Sequence, residues 1–231
     1  MLLCGVLAGC SFQGPPTTVT TSDARGVVDA APTIDAVVRT SCTLGAGAPI
    51  TDRGKVGLST GGALVAPPLA CDGDTRIVGV ALDMSNGLAD SVTVSAHGIR
   101  IACATVSIDA LGAHTGTVAT KDVEGNGGSG WTPSTFTAIT SCPAGAVVSG
   151  LSTHGSTFTT YFLDANITCS TFNARGQLLA ATSVHIAGSQ TSSANPSGVV
   201  CNAGEQLAAL SIHAGAGLDS ANLQCAPVTC E

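Results

Sequence analysis

Three cysteines start copies of one sequence pattern, and this repeat restricts the possible folds more than any other feature. They are Cys71, Cys142 and Cys201. Eight residues after each comes a small residue followed directly by an apolar one, giving Gly79-Val80, Gly150-Leu151 and Ala209-Leu210. A closing motif also recurs, as LDANITC ending at Cys169 and LDSANLQC ending at Cys225. Self-similarity of this kind implies three copies of one supersecondary unit.

Short β-branched runs predict that each unit consists of strands. Examples are TRIVGVALD, GIRIACATVSI and ANITCSTF, which are separated by turn signals such as Asn86-Gly87 and Asn195-Pro196. No segment has sustained helical periodicity, so the predicted class is all-β. One small sheet cannot cover its own apolar face, whereas three equivalent sheets around one axis can bury their faces together.

The repeat also predicts which residues meet at that axis. We expect two apolar layers, which would consist of Ile77, Val148 and Leu207, and of Val80, Leu151 and Leu210. The small residues that precede the second layer would allow close backbone approach or accommodate a β-bulge.

The middle unit carries motifs that resemble the vitelline membrane outer layer protein family. They are Trp131, Cys142-Pro143-Ala144-Gly145, Gly150-Leu151-Ser152 and Asp164-Ala165-Asn166-Ile167-Thr168-Cys169. The third unit matches through Cys201-Asn202-Ala203-Gly204 and the segment from Asp219 to Cys225. Over roughly residues 55–231, the resemblance implies a β-prism of three Greek-key four-stranded sheets with pseudo-threefold symmetry. The alternative fold is a β-sandwich.

The N-terminal residues predict a lipid anchor and a tether. Leu7-Ala8-Gly9-Cys10 resembles a bacterial lipobox, so residues 1–9 are interpreted as a signal peptide, shortened at its start, and Cys10 as the lipidated residue. Residues 10–41 are poor in aromatic residues and are interpreted as a flexible tether. The β-prism domain is then 42–231, with repeats at about 55–125, 126–188 and 189–231. The predicted location is the bacterial cell envelope, at the outer membrane or cell surface.

Eight cysteines remain in the mature body, and an even number behind an export signal predicts disulfides. The repeats suggest Cys142–Cys169 and Cys201–Cys225. Cys71–Cys103 has less support, because Asp90 to Ser95 aligns with Asp164 to Cys169, which puts a serine at the cysteine position, and Cys103 lies one strand later. Cys42 and Cys230 are left at the two ends of the body, where a bond would join the first strand to the last. The competing arrangement is Cys225–Cys230 with Cys42–Cys201.

One concentrated group of aromatic residues is a candidate binding surface. Phe158 and Tyr161 lie in the Thr-rich segment after His154, in the same repeat as Trp131. They could form a ligand platform or pack in the core of the middle unit, and the sequence favours neither. Asp164 and Asp219 are further candidate ligand-binding residues, although a recurring Asp also fits a turn that accepts backbone N–H bonds. The segment Gly215-Ala216-Gly217-Leu218-Asp219 fits the GxxxD pattern of jacalin-type lectins, which are also β-prisms.

A histidine–aspartate set recurs twelve residues after the three cysteines, as Asp83, His154 and His213. Such a set could bind a metal ion. We expect instead that the three side chains face solvent on different sheets, too far apart to share an ion. The sequence therefore predicts no metal site and no cofactor, and no catalytic motif in it stands above chance.

The charge balance and the motifs together favour a binding protein. The net charge of −7 and the absence of a basic patch argue against nucleic acid as a partner. The leading hypothesis is a non-enzymatic lipoprotein with a structural, adhesive or glycan-binding role, whose partners are the membrane, through its lipid, and glycans or other envelope components. The alternative is an enzyme acting on amino-sugar oligosaccharides with Asp164 or Asp219 among its acids.

Overall fold

The computed structural model describes residues 40–57, 62–84, 96–124, 136–154, 164–188, 196–215 and 217–231. Within these ranges every regular element is a β-strand, as the β-branched runs predict. No described segment forms a helix with the length and apolarity needed to cross a membrane. The strands in chain order are β1 (Cys42–Ala46), β2 (Thr51–Val56), β3 (Ala63–Ala70), β4 (Arg76–Asp83), β5 (Gly98–Ala104), β6 (Val106–Asp109), β7 (Gly112–Thr115), β8 (Ala119–Glu124), β9 (Thr140–Ser141), β10 (Ala146–His154), β11 (Asp164–Phe172), β12 (Leu178–Gly188), β13 (Pro196–Val200), β14 (Glu205–Ala214) and β15 (Leu218–Cys230).

These strands form three antiparallel sheets, and the fold is a β-prism. Sheet I has the order β8-β5-β4-β9, and sheet II has the order β12-β11-β10-β13. Sheet III contains β3-β14-β15-β1-β6-β7, with β2 also paired to β15. The four strands β2, β15, β14 and β3 of sheet III correspond to the four strands of each other sheet. Sheet III therefore differs from the predicted four strands only by an extension of β1, β6 and β7.

The three sheets share one apolar core. Val80, Leu151 and Leu210 are buried within it, and so are Ile77, Val148 and Leu207. The expected burial of all six residues in one core is therefore confirmed. The core forms because inward-facing apolar residues alternate along β4, β10 and β14, and these three central strands contact one another.

A β-bulge occurs at the same repeat position in all three central strands. It lies between Ile77 and Gly79 in β4, between Val148 and Gly150 in β10, and between Leu207 and Ala209 in β14. A Cβ atom on Gly79 would lie 2.7 Å from the carbonyl oxygen of Thr140 in the neighbouring strand. The small residues are thus needed for close backbone approach beside a bulge, as the sequence predicts.

The sheets do not coincide with the sequence repeats, because the strand that precedes the first cysteine of each repeat pairs with the central strand of a neighbouring sheet. The strand that leads into Cys142 is β9, which pairs with β4 of sheet I. The strand that leads into Cys201 is β13, which pairs with β10 of sheet II. The strand that leads into Cys71 is β3, which pairs with β14 of sheet III and closes the ring.

Disulfides fasten this exchange of strands. Three disulfides link the sheets in this way: each joins the cysteine that directly follows one of these strands to a strand of the neighbouring sheet. They are Cys71–Cys103 to β5, Cys142–Cys169 to β11 and Cys201–Cys225 to β15. Cys42–Cys230 joins β1 to the end of β15, with which β1 pairs. The structure therefore contains all four disulfides expected from the sequence and not the competing Cys225–Cys230 bond.

The end of the prism at which β15 finishes is closed by the extension of sheet III, and we call this end the base. A second apolar cluster lies there; it contains Leu44 of β1, Val106 and Ile108 of β6, and Phe172 of β11. Strand β1 pairs with β15 on one side and with β6 on the other. The first and last strands of the domain thus cover the base together.

Three ionisable groups at the base have displaced pKa values. Hydrogen bonds from Arg53, chiefly, lower the pKa of Glu205 at the start of β14. The hydrogen bond from the backbone N–H of Leu111 is the main cause that lowers the pKa of Asp109. Burial lowers the pKa of Arg76, which begins β4. These groups serve the local structure of the base and lie away from the opposite end, where the candidate site is found.

Candidate functional site

Corresponding strand ends of all three sheets lie at the end of the prism opposite the base. Backbone pairing there joins Asp83 to Gly98 in sheet I, His154 to Asp164 in sheet II and Ala214 to Leu218 in sheet III. We call this end the loop end. The sequence connections that start or finish here contain the aromatic residues singled out above and the GxxxD segment. The threefold topology therefore brings the described strand ends that flank these segments to one end of the molecule.

Direct hydrogen bonds connect the sheets pairwise near the loop end. The backbone N–H of Leu218 donates to the carbonyl of Ala96 at 2.9 Å, which ties sheet III to the segment leading into sheet I. The Gly57 N–H donates to the Ser197 hydroxyl at 3.2 Å, which ties β2 to β13. The hydroxyl of Thr140 donates to the carbonyl of Ile186 at 3.3 Å, which ties β9 to β12. These bonds hold the three sheet ends in fixed relative positions.

Asp219 is an acidic residue of the loop end whose pairing, burial and contacts are all described. A bulge at the start of β15 pairs Ala214 with Leu218 and His213 with Ser220, so that Asp219 is the extra residue. Its side chain is 5% exposed. A Cβ atom on Gly62 would overlap Asp219 Oδ2, and one on Gly215 would lie 3.5 Å from the same oxygen. The carboxylate is therefore held against backbone of two glycines, which is a common use of a bulge to redirect a side chain.

The bulge corrects the equivalence of Asp164 and Asp219 assumed from the sequence. Asp164 precedes its half-cystine by five residues and Asp219 by six. The residue opposite His213 is Ser220, whereas the residue opposite His154 is Asp164. The recurrence of aspartate is therefore not an exact repeat, and Asp219 has a position of its own.

The first repeat needs a similar correction. Cys103 pairs across β4 with Ile77, just as Cys169 pairs with Val148 and Cys225 pairs with Leu207. The segment from Gly98 to Cys103, and not the one from Asp90 to Ser95, thus corresponds to the segment from Asp164 to Cys169. The alignment failed because it matched residue types, whereas the structural match is set by the bulge and the disulfide. Asp90 itself lies outside the described residues.

Asp83 does not face solvent, contrary to the expectation for the histidine–aspartate set. It is fully buried, and its Oδ2 lies 3.4 Å from Nδ1 of His97, whose side chain is 5% exposed. The residue is on the face of β4 that points away from the core, but His97 and a bridge to Phe136 cover it. His213 is half-buried, and the side chain of His154 lies outside the description. In the described part of the chain no cluster of three metal-ligating side chains is present.

The aromatic candidates cannot be placed as directly. Trp131, Phe158 and Tyr161 lie outside the described residues, and only the backbone of Asp164 is described. The nearest described positions are the last residues of β8 and β10 and the first of β11. The pairing of Gly98 with Glu124 and of His154 with Asp164 puts all of them at the loop end.

A groove runs along the prism edge between β3 of sheet III and β8 of sheet I. Its volume is about 540 Å³, within the range of small-ligand sites. One wall is the apolar stretch 65–70 with Pro67 and Pro68, and the other is formed by residues 121–123. Its charged groups are engaged, since Lys121 lies 2.5 Å from Asp72 and Asp122 accepts two bonds of 2.6 Å from Arg100.

Sequence reasoning missed three features of these surfaces. They are the contact of Gly62 with Asp219, the burial of Asp83 by His97, and the stacking of Arg100 on Phe136 at 4.1 Å from the ring centre. Each joins residues of different segments through the tertiary fold. The only local signal was the GxxxD pattern, which marked Asp219 but not its partners.

No family model matches the chain, and no curated protein is similar to it in sequence. Among solved structures, it is similar to the Calsepa lectin of Calystegia sepium in complex with a biantennary N-glycan, with a TM-score of 0.48, 14% identity, and coverage of 79% of this chain and 99% of that one. It is also similar to wild-type Malaysian banana lectin, with a TM-score of 0.46, 14% identity, and coverage of 78% and 99%. A third is AcmJRL, a mannose-binding jacalin-related lectin from Ananas comosus, with a TM-score of 0.44, 11% identity, and coverage of 77% and 98%. The three sheets and their shared core define the β-prism without these proteins, and no residue role is transferred from them.

Proposed function

We propose that this protein is a glycan-binding β-prism module that acts from the bacterial cell envelope, to which a lipid on Cys10 tethers it. Glycans bind at the loop end, and Asp219 accepts hydrogen bonds from their hydroxyl groups. The resemblance to the vitelline membrane outer layer family supports the same broad class, a structural or sugar-handling β-prism. The tether is supported by the lipobox-like LAGC sequence and the polar segment that follows it.

The position of Asp219 is the observation on which glycan binding rests. A bulge gives Asp219 its own place at the loop end, where its largely buried carboxylate lies against Gly62 and Gly215. Ionised carboxylates accept short, strong hydrogen bonds from hydroxyl groups, which sugars present in pairs. A carboxylate fixed by its backbone surroundings keeps its geometry without an entropic cost on binding. Such a group can orient a sugar ring.

The aromatic residues provide a second element of the proposed site. Sugar rings have apolar faces that stack on Trp, Tyr and Phe, whose polar atoms remain available for hydrogen bonds. Trp131, Phe158 and Tyr161 belong to sequence connections that begin and finish at the loop end, the end that bears Asp219. The site would thus combine one fixed carboxylate with aromatic surface.

The arrangement of the acidic residues favours binding over hydrolysis. Glycosidases with two catalytic carboxylates hold them about 5–10 Å apart across the scissile bond. Asp164 and Asp219 begin strands of two different sheets, II and III. Asp83, a further acidic residue at this end, lies fully buried against His97. We therefore propose binding without hydrolysis. Hydrolysis of an oligosaccharide by the purified protein would instead establish the enzyme hypothesis.

Replacing Asp219 by Asn tests the proposed site. Loss of the charge at an otherwise unchanged position should weaken glycan affinity by about 10- to 100-fold, the value of one to two charge-assisted hydrogen bonds. A glycan array identifies the ligand, and calorimetry with that ligand gives the affinities of the two proteins. Thermal unfolding of the variant, measured in parallel, shows whether the domain remains intact.

Asp122→Asn is the matched control, because it makes the same chemical change on the exposed wall of the groove. We expect this variant to bind glycans like the wild-type protein. Loss of binding in Asp122→Asn but not in Asp219→Asn would place the site in the groove and refute the loop-end proposal. Failure of the wild-type protein to bind any glycan would refute glycan binding itself.

Replacing Cys10 by Ser tests the tether separately. We expect the protein to move from the membrane fraction to the soluble fraction of the producing bacterium, because serine lacks the thiol that carries the lipid. Cys4→Ser is the matched control, since Cys4 lies within the predicted signal peptide, and it should leave partitioning unchanged. An unaltered distribution of the Cys10→Ser protein would contradict lipid anchoring without affecting glycan binding.

A further inference from the structure

Strand β12 is an edge strand with an unusual composition. It pairs with β11 on one side and is the terminal strand of sheet II. Its eleven residues include no charged residue and no proline. Residues 178–183 are all exposed, and the exposed fractions of Leu178 and Leu179 are 38% and 65%. Long uncharged edge strands expose unpaired backbone N–H and C=O groups that readily pair with another strand.

The threefold symmetry of the prism supplies an internal comparison. The strands that correspond to β12 are β8 in sheet I and β2 in sheet III. Strand β8 contains Lys121, Asp122 and Glu124, and β2 contains Asp52, Arg53 and Lys55. Charges of this kind are a common protection against pairing between sheet edges. The same structural position therefore carries charged residues in two copies, whereas in the third it carries none and is exposed over residues 178–183.

The edge of β12 is also held in a conformation ready for pairing. The turn between β11 and β12 is closed by Asn173, whose side-chain oxygen accepts hydrogen bonds from the N–H groups of Arg175 at 2.9 Å and Gln177 at 3.0 Å. The Asn173 N–H donates to the carbonyl of Gln177 at 3.0 Å. Because the turn is closed by these bonds, residues 178–183 remain extended beside β11, and little ordering is needed when a strand is added.

We infer that β12 pairs with β12 of a second copy of this chain, forming a symmetric dimer through a continuous eight-stranded sheet. Two identical antiparallel strands are related by a twofold axis, so one contact closes the assembly and leaves no free β12 edge. The absence of charge from β12 means that self-pairing opposes no like charges, whereas a charged partner would gain nothing from this edge. The leucines at its start become covered by the partner strand.

The net charge of −7 sets how this dimer should respond to salt. Two copies repel each other over distances beyond the contact, and added salt screens that repulsion. The contact itself is neutral and apolar, so it has no ion pair for salt to weaken. Dimerisation should therefore strengthen as the ionic strength rises. A contact made by salt bridges would show the opposite trend.

Sedimentation of the full chain, carrying Cys10→Ser so that no lipid is attached, tests this inference. Over about 1–200 μM, the range in which a small interface assembles, we expect a reversible monomer–dimer equilibrium. Ala181→Lys should weaken dimerisation at least about 10-fold, because each copy would bring an ammonium group into a neutral strand contact. Ala119→Lys, the same change on the charged edge strand β8, should leave the equilibrium unchanged.

Four results would contradict the proposed β12–β12 dimer. A chain that stays monomeric throughout, grows beyond a dimer, or dimerises equally well with Ala181→Lys would overturn the inference. Equal weakening by Ala119→Lys would do the same. Thermal unfolding confirms that each variant is folded, and Leu179→Glu replaces Ala181→Lys if that protein does not fold.

Discussion

Removing the Cys42–Cys230 disulfide, by replacing both residues with alanine, is expected to lower the free energy of unfolding by about 4–5 kcal/mol. This bond has a sequence separation of 188, the longest of the four. In the chain-entropy account, a cross-link over so long a loop removes much of the freedom of the unfolded chain. Without it, the first strand must find β15 unaided. Guanidinium unfolding of the oxidised wild-type and variant proteins measures the difference.

The control for lost side-chain atoms is the double variant Thr43→Ala with Thr229→Ala. These threonines are half-buried on the same two strands, β1 and β15. We expect this variant to lose less than about 1 kcal/mol, as is usual for partly exposed positions. A comparable loss in both double variants would mean that the disulfide contributes through local packing and not through its long loop.

Leu151→Ala is expected to cost about 2–5 kcal/mol, the range for truncating a fully buried leucine. Leu151 lies in the shared core of the three sheets, at the repeat position also occupied by Val80 and Leu210. A cavity there cannot easily close, because Val80 and Leu210 of the same core belong to two other sheets, each fastened by a disulfide. The change is measured by equilibrium unfolding with all disulfides intact.

Ser152→Ala, at the next position of β10, is the matched control for Leu151→Ala. Its side chain is half-buried on the opposite face of the strand, so we expect a change within about 0.5 kcal/mol. Leu210→Ala should cost about as much as Leu151→Ala, because the two residues share one repeat position. A loss below about 1 kcal/mol for Leu151→Ala would contradict its place in the core.

The candidate site was predicted only in part, because its components depend on contacts between distant segments. The GxxxD pattern identified Asp219, but the bulge that distinguishes it from Asp164 is visible only in the pairing of β14 with β15. Asp83 was expected to face solvent at the end of its strand, and it does lie on the outer face of β4. Whether an outer face is exposed depends on what covers it, and His97 and Phe136 are supplied by other parts of the chain.

The sequence by itself determined the class of strands and the apolar repeat positions, and it limited the disulfides to two arrangements, between which the structure decides. These depend on local chemistry, namely β-branched runs, alternation with a period of two, and cysteines at repeated spacings. Only the tertiary structure decided that one strand of each repeat pairs with a neighbouring sheet and that β1, β6 and β7 extend sheet III. It also decided that β12 is an edge strand. Strand pairing is made by backbone groups, which are alike in every residue, so the sequence alone does not specify which edges meet. Which edges meet is decided when the three sheets close around one core, because only then are all their apolar faces covered.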